Sequence, residues 1–149
     1  MTYWGSGDPA KRRTDYTPGW LGELAVDVTM EASVTDGIVR GPEAVRAILS
    51  FARTLYEYQE FNFVGAYGDD GFVEDYTSQV HGEPIGSIVV VRFNEAGQAQ
   101  HIVINHRPLR SVLLWSRLMG EHFAGTQYTT YFLPPQDSSA ALGQEVAAS

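Results

Sequence analysis

The chain contains no cysteine, which excludes disulfides, thiolate metal sites and cysteine nucleophiles. It is also short of positive charge: 10 Lys and Arg stand against 18 Asp and Glu, for a net charge of −8. A phosphate backbone attracts the opposite sign, so nucleic acid is not an expected partner. The one basic run, Lys11-Arg12-Arg13, has no interleaved aromatic ladder. No apolar stretch approaches the roughly 20 residues of a membrane-spanning helix, and the first residues hold no apolar core of signal-peptide length. A soluble cytoplasmic protein, with no membrane contact, is the expectation. The histidines His81, His101, His106 and His122 lack metal-ligand spacing, so neither a metal nor another cofactor is expected. There is no G-x-S-x-G elbow, and GAYGDDG at 65–71 lacks the lysine and following helix of a phosphate loop.

What is present is ordinary globular material. With 149 residues, 44% apolar and 19% charged, the chain fits one domain with a genuine core. Residues 1–16 are polar and rich in Gly, Pro and Asp, which predicts an irregular segment; residues 17–133 form the expected domain, and 134–149 read as a disordered tail. Thr17-Pro18 predicts an N-cap and first turn for a short helix over Pro18–Ala25, burying Trp20, Leu21 and Leu24. Val28–Val34 alternates as a half-buried strand with Val28, Met30, Ala32 and Val34 on one face. Gly41-Pro42-Glu43 opens a helix to about Glu57, with Ala44, Val45, Ile48, Leu49, Ala52 and Leu55 at helical spacing. Strands follow at Phe61–Tyr67, Phe72–Val80, Ile85–Phe93 and Ala99–Arg107, separated by short turns. A closing helix over Pro108–His122 has apolar residues nearly all round it. Consecutive short turns imply an antiparallel meander, and helices outside the run of strands imply α+β. A strongly bent antiparallel sheet wrapped around the helices would leave a cone with an internal pocket.

Alternation assigns the inward faces. Phe72, Glu74, Tyr76, Ser78 and Val80 form the more apolar set of their strand, so Glu74 is an acid on an apolar face. Ser87, Val89, Val91 and Phe93 face in from the next strand, and Ile102, Ile104 and His106 from the last. The pocket lining predicted for a small apolar ligand is Met30, Ala32, Ser78, Val89, Val91, Ile102 and Ile104. Glu74, Tyr76 and His106 are the candidate catalytic groups: a buried carboxylate has its pKa raised toward neutrality, imidazole is already in that range, and a tyrosine hydroxyl can steady a developing oxyanion. Each also has a structural alternative. His106 precedes the Arg107-Pro108 break and can simply bond backbone there; Glu74 can pair with Arg92, Arg107 or Arg110; Tyr76 can be plain core. The outward set Ile88, Val90 and Val103 leaves a spare apolar face, for which a homodimer through the sheet is the simplest cover.

The segments VTMEASV, RGPEAVRAIL, VVVRFNEAGQAQHIVI and HRPLRSVLLWSRLM occur here in an order that resembles the SnoaL-like group of the nuclear transport factor 2-like (cystatin-type α+β cone) superfamily, from about Trp20 to Gly125. The resemblance implies the bent-sheet cone and a small-molecule pocket. It also implies chemistry of the isomerase, cyclase, dehydratase or hydrolase type, although the superfamily includes binding-only members, so fold alone does not assign a reaction. In its ketosteroid isomerases the general base is an aspartate on the strand that here reads VTMEASV, where Ala32 stands, and the oxyanion-holding aspartate corresponds to Val89. The resemblance therefore implies the pocket without that pair of acids.

Overall fold

The structure is a computed structural model that describes residues 5–133. The predicted tail at 134–149 and the first four residues of the irregular N-terminal segment lie outside the described residues. Among those described, the elements run β1 (Leu24–Ala32), β2 (Val39–Arg40), α1 (Pro42–Leu55), β3 (Glu60–Ala66), β4 (Gly71–Val80), β5 (Glu83–Phe93), β6 (Ala99–Arg107) and α2 (Leu109–Phe123), with 3₁₀ turns at Pro9–Lys11, Gly19–Gly22 and Thr129–Tyr131.

The class is α+β: one curved six-stranded sheet in the order β2-β1-β6-β5-β4-β3, with two helices against its concave side. β3 to β6 form the expected antiparallel meander. The pairing of β1 with β6 is parallel, however, so the sheet is mixed. β1 reaches β6 only after α1 and the whole meander have been laid down, and no local turn signal records such a contact. Register shifts fall between Leu24 and Thr29, Phe61 and Phe63, and Arg92 and Phe93; extra residues in one strand bend and twist a sheet. His81-Gly82 closes the β4–β5 hairpin with both residues at positive φ, matching the right-handed twist of the flanking strands.

Two local expectations change. The helix predicted over Pro18–Ala25 is a single 3₁₀ turn at Gly19–Gly22, and β1 begins at Leu24 rather than Val28. Gly19 and Gly22 both weaken a helix, while β6 offers backbone partners from Ala99 onward. Trp20, Leu21 and Leu24 are buried nonetheless. α2 is less encircled by core than its composition implies: Trp115 and Met119 are buried, but Leu109 and Leu113 are largely exposed. At α1 the chain enters through Gly41 at φ 91°, a conformation that favours glycine, and Pro42 occupies the first turn.

The core lies between the concave face and the helices, with Val28, Met30, Val39, Val45, Ile48, Val91, Ile102 and Trp115 almost wholly buried. Residues 5–16 do not hang free. The Ser6 backbone and hydroxyl donate to Glu60, and Arg13 and Gln59 exchange backbone hydrogen bonds at 2.8 and 2.7 Å. This strap runs along the start of β3 to the open end of the cone.

Candidate active site in the cone

Strand register decides which side chains meet. Tyr76, Ser87 and His106 lie directly opposite one another across β4, β5 and β6. The next row on the same face reads Glu74, Val89, Ile104 and Ala32. Glu74 and His106 thus share the concave face two strands and one row apart, roughly 12 Å between backbones from ordinary strand spacings. They do not hydrogen-bond each other; both line one cavity that a third molecule can bridge.

That cavity is narrow. Met30, Ile48, Leu49, Ala52, Trp115 and Met119 supply apolar wall from β1 and the helices. Of the predicted ligand-binding residues, Met30, Ala32, Val89 and Ile104 line it. Ser78, Val91 and Ile102 face inward but are absent from the lining: the Ser78 hydroxyl donates to the Tyr58 carbonyl, and Val91 and Ile102 pair across strands in packed core.

Glu74 is 2% exposed. Desolvation raises its pKa, because burial penalises the charged form, and three groups oppose that rise. The Tyr16 hydroxyl donates to its carboxylate. The Trp20 indole N–H, which has no partner in hydrogen-bonding geometry, is near enough to act the same way, as is the Arg53 charge. The arginines weighed as ion-pair partners go elsewhere: Arg92 to Asp70, Arg107 to Asp75 and Arg110 to Glu83.

Tyr56 lies between the strap side of the cavity and His106, its hydroxyl 2.8 Å from the Tyr76 hydroxyl and 2.8 Å from His106 Nε2. With one proton, Tyr56 donates to one neighbour and accepts from the other. The ring of Trp115 packs 4.7 Å from those of both Tyr56 and His106. Burial lowers the His106 pKa to about 3, since no carboxylate offsets the lost hydration, so the imidazole is neutral at physiological pH. The same cause raises Tyr76 to about 12 and Tyr56 well above its usual value, so both hydroxyls keep their protons. His106 Nδ1 and Ser87 Oγ are buried without a protein partner.

The sequence reasoning missed Tyr16, Arg53, Tyr56 and Gln59, all of which line the cavity. Tyr16 arrives from an irregular strap, and Tyr56 terminates α1 at its C-cap, where neither helical nor strand periodicity assigns a direction. Among the described residues no three His, Asp or Glu side chains gather as metal ligands, and no helix is long and apolar enough to cross a membrane.

No family model matches the chain, and no curated protein matches it in sequence. Solved structures do. An uncharacterised bacterial protein with a cystatin-like fold from Silicibacter pomeroyi superposes with a TM-score of 0.66 at 17% identity, covering 71% of this chain and 74% of that one. A steroid delta-isomerase from Pseudomonas aeruginosa also gives 0.66, at 20% identity over 71% of this chain and 78% of its own. A de novo designed protein with a curved β-sheet gives 0.54 at 17% identity, covering 68% and 83%. The chain therefore has the cystatin-like α+β cone that its resemblance to the SnoaL-like and nuclear transport factor 2-like group implied. At these identities the likeness is one of fold.

Proposed function

We propose that this protein binds a small, apolar, oxygen-bearing molecule in its cone and carries out acid–base chemistry on it, of the isomerisation, cyclisation, dehydration or hydration type, with Glu74 moving the proton. The observation that carries this is a carboxyl group held at 2% exposure on the wall of an otherwise apolar cavity, its pKa raised by burial. A carboxyl group whose charged form is penalised by burial is a better proton acceptor than one in water, as a general base requires. With His106 Nε2–H donating to Tyr56 and Tyr56 donating to Tyr76, the Tyr76 hydroxyl is left to donate to a developing oxyanion. His106 serves through Tyr56: a neutral imidazole with its pKa near 3 is a poor base but a good anchor for that hydroxyl.

One structural relative is a steroid isomerase, which keeps isomerisation within this set. Here Ala32 and Val89 line the cavity where the resemblance puts that group's aspartates, so the base would come from β4 instead of β1. Exchange of α-protons in D₂O, followed by NMR across a panel of small cyclic enones, tests the proposal. Glu74→Gln should slow wild-type exchange by about 100-fold or more, with His106→Gln costing less. Equal rates for wild type and Glu74→Gln would sink it.

A second reading, binding without turnover, is favoured by one observation: Tyr16 already occupies the Glu74 carboxylate. Tight binding of an enone with no exchange in any variant would select it.

Homodimerisation through the convex face belongs to the same proposal. Val73, Val90 and Val103 lie in one cross-strand row, with Ile88 beside them at 39% exposure. Polar pairs flank them, Arg107–Asp75 on one side and His101–Glu31 on the other, an apolar centre with a polar rim. Sedimentation should give twice the chain mass for wild type and the monomer for Ile88→Glu. A wild-type monomer at micromolar concentration would overturn this.

A further inference from the structure

The basic run Lys11-Arg12-Arg13 has no part in the site described above, yet the fold carries it to the cavity mouth. The backbone exchange between Arg13 and Gln59 fixes the strap there. The Arg12 guanidinium lies 4.2 Å over the Tyr58 ring, and that of Arg13 lies 5.4 Å over the ring of Tyr16. A second, polar pocket opens at this point, lined by Arg13, Thr14 and Tyr58. Tyr16, Arg53, Tyr56 and Gln59 line both this space and the apolar cavity, so the two share a wall.

We propose that this antechamber holds the carboxylate of an amphipathic acid whose apolar body occupies the cone; the inference rests on the ligand-binding reading above and names its substrate class. Arg53 spends its hydrogen bonds on neutral acceptors, the Tyr16 carbonyl and the Thr17 hydroxyl at 2.8 Å. No carboxylate of the described residues lies within 4 Å of the Arg53 or Arg12 guanidinium, and Arg13 has only Asp15, at 3.9 Å and 85% exposed. Arg92, Arg107, Arg110 and Arg117 each face a carboxylate of their own, while Arg40 and Arg46, which do not line the antechamber, have none within 4 Å among the described residues. A protein of net charge −8 repels anions over most of its surface, so three guanidinium groups with no carboxylate of the described residues closer than 3.9 Å, gathered beside the cavity, create a local potential that selects them. Guanidinium forks match carboxylate geometry. The antechamber is polar where the cavity is apolar, and a molecule spanning the shared wall would need both characters.

The test uses the quenching of Trp20 and Trp115, which line the cavity, with phenylpropanoate and phenylpropanol as probes of equal apolar body. Wild type should bind the acid at least about tenfold more tightly than the alcohol, the value of one charge-assisted pairing, and high salt should shrink the gap. Arg53→Gln should abolish the preference and Arg13→Gln should reduce it. Because Arg53 also holds Tyr16 and Thr17, the exposed Arg13 variant carries the test if Arg53→Gln does not fold. Equal affinity of wild type for acid and alcohol, or a preference that survives both substitutions, overturns the anion site and leaves the apolar pocket standing. Silence toward both probes overturns the pocket reading as well.

Discussion

The mouth of the cavity and its back wall bury titratable groups in the same apolar space and treat them differently. At the mouth, Glu74 is surrounded by groups that favour its charge: the Tyr16 hydroxyl, the Trp20 indole and Arg53. At the back, His106 has one neutral hydroxyl and the face of Trp115. Burial drives both groups toward their uncharged forms, the acid upward in pKa and the imidazole downward, but only at the mouth is that drive opposed. Residue type alone would favour the histidine as the proton carrier. Under the acid–base reading proposed above, the surroundings favour the acid for that role, because groups beside it oppose the burial that otherwise drives it to its neutral form.

The largest expected effect is a pair of opposite pH slopes. His106 titrates near 3 in the folded protein and near 6.5 when unfolded, so between those values the unfolded chain takes up a proton that the folded protein refuses. Stability is lost as pH falls through that window, at up to about 1.4 kcal/mol per pH unit. His106→Gln should remove the slope in urea unfolding measured from pH 7 to 4. Glu74 has the opposite sign: its folded pKa lies above the ordinary 4.5, so its contribution is complete below that value and is lost as pH rises through the folded pKa. Glu74→Gln should therefore be at least as stable as wild type at pH 8. If both variants kept the wild-type profile, mouth and back wall would not differ in the way described.

A smaller effect isolates the latch. Tyr16→Phe removes the hydroxyl donated to Glu74 and should cost about 1 kcal/mol. It should also raise the Glu74 pKa further, since that bond favours the charged carboxylate, and bind a probe carrying a hydroxyl donor more tightly because nothing then competes for the carboxyl. Carbon NMR titration of the Glu74 carboxyl reads the shift. An unchanged pKa would mean that the strap merely lies against the mouth.

The inward parity of β4, β5 and β6 was legible because a strand has a period of two and one of its faces must be apolar. Glu74 on the concave side followed from Phe72, Tyr76 and Val80 around it. Depth along that face was not legible: Val89 and Ile104 reach the cavity while Val91 and Ile102, one row further, are packed core. Alternation repeats identically along a strand and carries no information about where the helices part. Nor was the true company of Glu74 visible. Tyr16 is 58 positions away in sequence and Arg53 is 21, and neither lies on a strand that pairs with β4.

The sequence by itself determined α1, α2 and the four strands of the meander, the face those strands present to the core, and hence the presence of Glu74, Tyr76 and His106 inside the cone, because those follow from local periodicity and the exclusion of apolar surface from water. Only the tertiary structure decided that β1 runs parallel to β6, that Tyr56 ties Tyr76 to His106, and that an irregular strap brings Tyr16 and a cluster of arginines to the mouth. Those are contacts between segments far apart in the chain. Their energies depend on desolvation and on partners that no local pattern encodes, and they set which buried group holds a proton and which can give it up.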